Sequence, residues 1–304
     1  MVKLWPLLLL VACRPDFGAR QSVISSERVL AVRGEPAEVR PNTSATWTPL
    51  IVGPSGTVAT PSVDWAFCVA PKPLDENNTV ADACLGGGDA LVGIAAASPS
   101  ASAIIPYDAC QRFGPDPPPV MVGEPPLRPR DPDVTGGYYQ PVRLTVDGQV
   151  SFELERIRCN LASAGAEIAL QFAATYTPNQ NPTLLPITVA ISDGGAVSLD
   201  GIPAGARVTF TAAWDATSVE SFPVYNIADQ TLDMHRESMR VSWFGTDGSF
   251  DQDRTGRDET DMDTTTSNDW TAPTSPGPVF LWMVLRDSRG GVDWRAVTAT
   301  VVAQ

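Results

Sequence analysis

Lysine and histidine are almost missing from this chain. Among 304 residues there are two lysines, Lys3 and Lys72, against 19 arginines, and a single histidine, His235. That histidine lies in the polar stretch Asp233-Met234-His235-Arg236-Glu237 and reads as a solvated loop or edge residue. Histidine is the commonest general acid–base group and is required by Ser/His/Asp catalysis, so its scarcity removes most of that chemistry. No GxSxG elbow, P-loop or HExxH is present. No CxxC pair exists, so the cysteines lack the spacing of a structural zinc site. The formal net charge of -14 makes a poor surface for nucleic acid, whose phosphates need basic partners. Carboxylates are abundant, but abundance without geometry does not nominate a glycosidase pair. The reading is of a protein that is not an enzyme and needs no cofactor.

What is present begins at the N-terminus. Lys3 precedes a short apolar run, Leu4 to Leu10, and small residues follow, which makes a secretory signal. The sequence Leu10-Val11-Ala12-Cys13 resembles the bacterial lipobox. That resemblance implies cleavage before Cys13, lipid modification of its thiol and attachment of the body to a membrane by the acyl anchor; the alternative is an ordinary signal peptide. No second stretch reaches the roughly 18 apolar residues of a membrane helix, so the chain is expected to be anchored to a membrane and not threaded through one. Arg14 follows the cysteine where an Asp would resemble an inner-membrane retention signal, which favours the outer membrane, on either face. Residues 1–12 are then signal peptide and 13–26 a polar tether.

The remaining four cysteines, Cys68, Cys84, Cys110 and Cys159, suit two disulfides in an exported chain. Three connectivities are open. The favoured one joins Cys68 to Cys84 and Cys110 to Cys159, closing one short loop and tying a long one back to a strand.

Hydrophobic periodicity is mostly that of strands. Residues 29–33, 45–52 and 63–68 alternate, with Val63, Trp65 and Phe67 on one face. Val142–Val146 and Val150–Leu154 flank Asp147-Gly148, a strong hairpin signal. Residues 70–136 break this rhythm; between Pro115 and Pro132, 8 of 18 residues are proline, which favours extended polyproline geometry and cannot pair in a central strand. Residues 160–176 are rich in helix formers and predict one helix of about three turns. Strand patterns return at 187–191, 207–214, 239–244, 279–285 and 296–302. The expected fold is all-β: an Ig-like domain over 27–160 with a Pro-rich, disulfide-stapled insertion at 70–136, a helical linker at 161–180, and a second β-sandwich over 181–304.

Both β regions carry a Val-x-Trp strand, Val63-Asp64-Trp65 and Val241-Ser242-Trp243, as suits the centre of a two-sheet sandwich. Asn268-Asp269-Trp270-Thr271-Ala272-Pro273, then Gly277 and a strand running to Asp287-Ser288-Arg289-Gly290-Gly291, resemble the last two strands of bacterial Ig-like and PKD-like domains. The layout is also similar to that of surface lipoproteins of myxobacteria and their relatives. The resemblance implies a binding, adhesion or scaffold role with an unspecified protein or glycan partner, and fold alone assigns none of these.

Two further features were candidates for chemistry. Asp247, Asp251, Asp253, Asp258, Glu259, Asp261 and Asp263 crowd one segment against Arg254 and Arg257 alone. Asp251-x-Asp253-x-Thr255-Gly256 copies the start of a calcium loop, but Met262 stands where the twelfth-position Glu belongs. Asp251, Asp253, Asp261 and Asp263 are therefore only a weak calcium candidate, and a solvated, poorly ordered acidic loop is the expectation. Trp270, Trp282 and Trp294 in the last 35 residues suggest either a sugar-binding platform or core packing.

Overall fold

A computed structural model describes residues 21–73, 76–115, 135–161, 164–191, 195 and 197–303. Cys13 and most of the proline run lie outside these residues. The fold is all-β, arranged as two sandwiches in tandem.

In the first sandwich the strands are β1 (Arg28–Glu35), β2 (Glu38–Val39), β3 (Ser44–Gly53), β4 (Gly56–Thr57), β5 (Asp64–Cys68), β6 (Leu91–Ile94), β7 (Ala96–Ala97), β8 (Ser100–Ile104), β9 (Gly137–Val146) and β10 (Gln149–Arg158). One sheet runs β1-β3-β8-β7 with β4 on β3; the other runs β2-β10-β9-β5-β6. Alternation explains the core: Trp47, Trp65, Phe67, Val142, Leu144 and Ile157 point inward from facing sheets. Trp47 meets Phe67 edge-on at 5.6 Å. The β9–β10 hairpin turns at Asp147 and Gly148, both at positive φ, as the Asp-Gly pair predicts.

The insertion is more structured than its composition suggests. Its described part holds β6, β7, β8 and two short helices, α1 (Ala83–Gly86) and α2 (Ala109–Phe113), and β8 pairs with β3 inside a sheet. The small residues of Ser100-Ala101-Ser102-Ala103-Ile104 still alternate, and Ala101 is buried against the core. Disulfides Cys68–Cys84 and Cys110–Cys159 bridge Cα atoms 5.6 and 5.7 Å apart and fasten α1 and α2 to strands or strand ends. Cys68–Cys84 sits in its own small cluster with Ala81, Leu91 and Phe152. Replacing both Cys68 and Cys84 by alanine should cost about 2–3 kcal/mol, mainly by freeing the unfolded chain. Urea unfolding of this variant checks the value; an unchanged midpoint would show that packing alone orders the loop.

A helix, α3 (Ala166–Thr175), follows, buries Phe172, and packs with Leu161, Tyr176, Tyr225 and Leu232. The second sandwich comprises β11 (Thr188–Ile191), β12 (Ile202–Pro203), β13 (Arg207–Ala213), β14 (Ser221–Asn226), β15 (Thr231–Arg236), β16 (Met239–Gly245), β17 (Ser249–Phe250), β18 (Arg254–Arg257), β19 (Thr265–Thr271), β20 (Gly277–Arg286) and β21 (Val292–Val302). Its sheets run β11-β13-β19-β17 and β12-β21-β20-β16-β18, with β14–β15 a separate hairpin against α3. In both sandwiches the chain crosses between sheets near a proline, Pro36 or Pro203, and then pairs in parallel with the domain's last strand. The second core is aromatic, built on Phe210, Trp243, Phe250 and Trp270.

The sandwiches join face to face. Strand β20 is apolar on both faces because it has two neighbours to satisfy. Leu281, Met283 and Leu285 fill the second core, while Phe280, Trp282 and Val284 meet Ala31, Leu50 and Val52 of the first sandwich. Trp282 donates its indole N–H to Thr57 Oγ1 at 2.9 Å across this joint. The last residues of the tether are docked as well: Ser22 and Ile24 are buried, and Ile24 N–H bonds Gly245 O at 2.9 Å.

Candidate functional site

Several buried polar groups with shifted proton affinity converge on the interdomain joint. Glu38 Oε2 accepts hydrogen bonds from Arg156 Nε at 3.1 Å, the Tyr176 hydroxyl at 2.5 Å and Asn179 N–H at 3.0 Å. Asn179 Nδ2 lies 3.4 Å from both oxygens of Asp287. Asp287 Oδ1 in turn accepts from the backbone N–H groups of Arg289 and Gly291 at 2.9 and 2.8 Å. Arg289, 1% exposed, donates to Glu237 at 2.8 Å, Glu220 at 2.6 Å and Thr177 O at 3.0 Å, and stacks over Phe222 at 4.7 Å. First sandwich, linker and second sandwich are thus wired together through buried charge.

The Asp-x-x-Gly-Gly turn now has a physical reason. A Cβ on Gly291 would meet Asp287 Oδ2 at 2.1 Å and Gln180 O at 2.9 Å, so a side chain there would expel the linker. Gly290 has φ +106°, a conformation that favours glycine. Burial pushes Glu237 up to about 7, helped by Asp287 and opposed by Arg289, and raises Asp287 and Glu220 as well. Burial pushes the Tyr176 hydroxyl up to about 12, against the pull of Arg156.

Two more carboxyls are held high inside the first sandwich and its edge. Burial raises Glu155 to about 8, opposed by the 2.8 Å hydrogen bond from Trp47 Nε1. Burial likewise raises Glu153 to about 7, against the attraction of Arg286. Each perturbed carboxyl is committed to a packing or hydrogen-bonding role in the fold.

The sequence candidates are placed differently. The acidic segment is not a loose loop: it contains β17 and β18, because neighbouring arginines and sheet pairing offset its mutual repulsion. Asp251 pairs with Arg207, which also holds Asp269 at 3.0 Å. Asp261 and Asp263 share Arg257 at 3.1 and 3.5 Å. Asp251, Asp253, Asp261 and Asp263 are therefore not brought to one point, and among the described residues no group of three or more His, Cys, Asp or Glu forms a metal cage. His235 lies on the β15 edge strand, 2.9 Å from Glu259 Oε2 and partly exposed. Trp270 and Trp282 are buried, and Trp294 packs against the joint. They form no exposed platform.

One feature gave no sequence signal. Grooves of about 720 and 510 Å³ adjoin along the outer face of β16 and β18, and both are lined by Arg240 and Arg254. The larger also takes Arg236 and Arg257; the smaller takes Arg286, Gln21 and Ser22. These residues are scattered along the chain, and only the sheet register assembles them.

Among the described residues no helix is long and apolar enough to cross a membrane. No protein-family model matches the chain, and no curated protein does. Among solved structures, the adhesin InvE of Yersinia pseudotuberculosis is similar at 10% identity and a TM-score of 0.24, over 93% of this chain and 61% of that one. Domains 4 and 5 of the S-layer protein SbsC are similar at 9% identity and a TM-score of 0.22, over 91% and 98%. The chain spans less than two thirds of InvE.

Proposed function

We propose that this protein is a non-catalytic, lipid-anchored binding, adhesion or scaffold module of a bacterial cell envelope, on the outer membrane. The observation that carries the reading is the joint. An apolar sheet-to-sheet contact and a buried ionic network join the two β-sandwiches face to face, which suits a spacer or docking surface. The carboxyls whose proton affinity burial raises are spent on that joint and on the first sandwich. The burial of Trp270 and Trp282 favours a protein partner over a sugar platform. The disulfides fit an oxidising compartment.

Two experiments test this. Cross-linking in the source cells, followed by capture of the intact lipoprotein, should recover a specific protein partner; recovery of polysaccharide alone would favour instead a glycan-binding or accessory domain of cell-envelope polysaccharide processing. A Cys13→Ser protein should move from the membrane to the soluble fraction, since several acyl chains bind firmly and none remains. An unmodified Cys13 thiol in the mature wild-type protein, seen by mass spectrometry, would remove the anchor from the proposal.

A further inference from the structure

The arginine grooves stand out against the charge of the whole molecule. Carboxylates outnumber basic residues 35 to 21, yet Arg240, Arg254 and Arg286 gather here, and among the described residues Arg240 and Arg254 have no ion-pair partner. Arg240 and Arg286 stand directly opposite each other on β16 and β20, so both point to the same face. Arg254 lies opposite Ser242 on β18, which puts it diagonally beside Arg240 on that face too. Like charges opposed across a ladder are unfavourable unless an anion lies between them. Arg286 donates to Leu30 O at 2.7 Å and is drawn to Glu153, and nearby Arg28 lies over the Phe244 ring at 5.6 Å and bonds Gln21 O. Arg240 and Arg254 are exposed and aim into the grooves. The carboxylates on the groove walls are engaged elsewhere or lie at the rim. Asp287 is held by its own turn, Glu259 by His235, and Asp258 by the backbone N–H groups of Thr260 and Asp261; Asp253 is the remaining one.

Position supplies the second half of the argument. Gln21 and Ser22 line the smaller groove, so the chain coming from Cys13 reaches the folded body here. The seven residues between Cys13 and Gln21 make eight Cα-to-Cα steps, which span at most about 29 Å when fully extended. An anchor at Cys13 therefore keeps this face close to the membrane surface. The guanidinium fork matches phosphate oxygens in pairs. We propose that the exposed Arg240 and Arg254, flanked by Arg286, dock the body onto the phosphate headgroups of the membrane that carries the Cys13 anchor, turning the acidic remainder of the protein outward. This inference rests on the anchored reading above.

The test separates the two. The mature chain is coupled through Cys13 to a maleimide lipid, the other four cysteines being disulfide-bonded, so the outcome does not depend on whether cells acylate Cys13. Phenylglyoxal modification is followed by mass spectrometry on vesicles of phosphatidylcholine alone or of equal parts phosphatidylcholine and phosphatidylglycerol. Arg240 and Arg254 should react about fivefold more slowly on the anionic vesicles, the factor expected for one arginine at such a surface, and high salt should abolish the difference. Exposed Arg40, outside the grooves, should react equally on both. Equal rates for Arg240 and Arg254 on the two vesicle types would overturn the proposal. Protection by inorganic phosphate or by an acidic polysaccharide on neutral vesicles, without protection by phosphatidylglycerol, would overturn it too and assign the face to a free anion or a glycan.

Discussion

Replacing Arg289 by alanine is expected to destabilise the protein by about 3–5 kcal/mol, because it leaves Glu237 and Glu220 facing each other's charge without a cation in a buried site. For a folded body of this size that is a fall of roughly 10 °C in melting temperature. Loss of the bond to Thr177 O should also loosen the linker, so one cooperative calorimetric transition should separate into two. The pH dependence follows from Glu237. Its carboxyl is raised to about 7 even with Arg289 present, and removing the cation raises it further. Below that value Glu237 takes up a proton and the uncompensated charge disappears. The deficit of Arg289→Ala should thus be largest above pH 7 and shrink toward pH 5. Arg289→Lys should recover only part of the loss, since one ammonium cannot reproduce a fork that serves two carboxylates and a carbonyl. A deficit under about 1 kcal/mol at pH 8 would mean that the joint is held by its apolar face alone.

That joint shows where sequence reasoning stops. Local signals were legible: Asp147-Gly148 fixes its hairpin through two positive φ angles, and alternation places Trp65 and Phe67 in the core. The helix emerged within the expected segment, and the favoured disulfide pairing is the one present. Strands lacking apolar alternation were missed. In β19, Thr266 and Asn268 are buried beside Trp270, and their burial is set by pairing with β13, not by hydrophobicity. The β14–β15 hairpin carries Pro223, exposes Met234 and turns without glycine at Gln230. The acidic segment looked self-repelling because Arg207, which holds Asp251 and Asp269, lies 44 residues before Asp251. The network of Glu38, Arg156, Asn179, Glu237, Asp287 and Arg289 and the arginine face are assembled from positions across most of the chain, so no window of sequence contains them. The two-faced apolar strand Val279–Leu285 did carry a readable trace of the joint: such a strand needs a neighbour on each side.

Glu155 should make the first sandwich less stable as the pH rises, and Glu155→Gln should remove that dependence. Glu155 is 2% exposed, and the absence of a side chain on Gly34 makes room for its carboxyl, since a Cβ there would lie 2.2 Å from Oε2. Burial raises its proton affinity to about 8, the Trp47 hydrogen bond opposes this, and Glu153, Glu38 and Glu35 add to it. An unfolded glutamate titrates near 4.3. Between those values the folded state holds a proton that the unfolded state has lost. The stabilisation is therefore complete below about pH 4.3 and lost as the pH climbs through 8. At about 1.4 kcal/mol per pH unit the ceiling is about 5 kcal/mol, and on the order of 3 kcal/mol is expected between pH 5 and pH 9. Glu153, raised to about 7, adds in the same direction. Glutamine has the shape and neutrality of the protonated acid, and its amide oxygen still accepts from Trp47. Urea unfolding should find wild type and Glu155→Gln alike at pH 5 and the variant more stable at pH 9. Parallel stability profiles from pH 5 to pH 9 would show that Glu155 is already ionised in the fold, with its charge stabilised by Trp47.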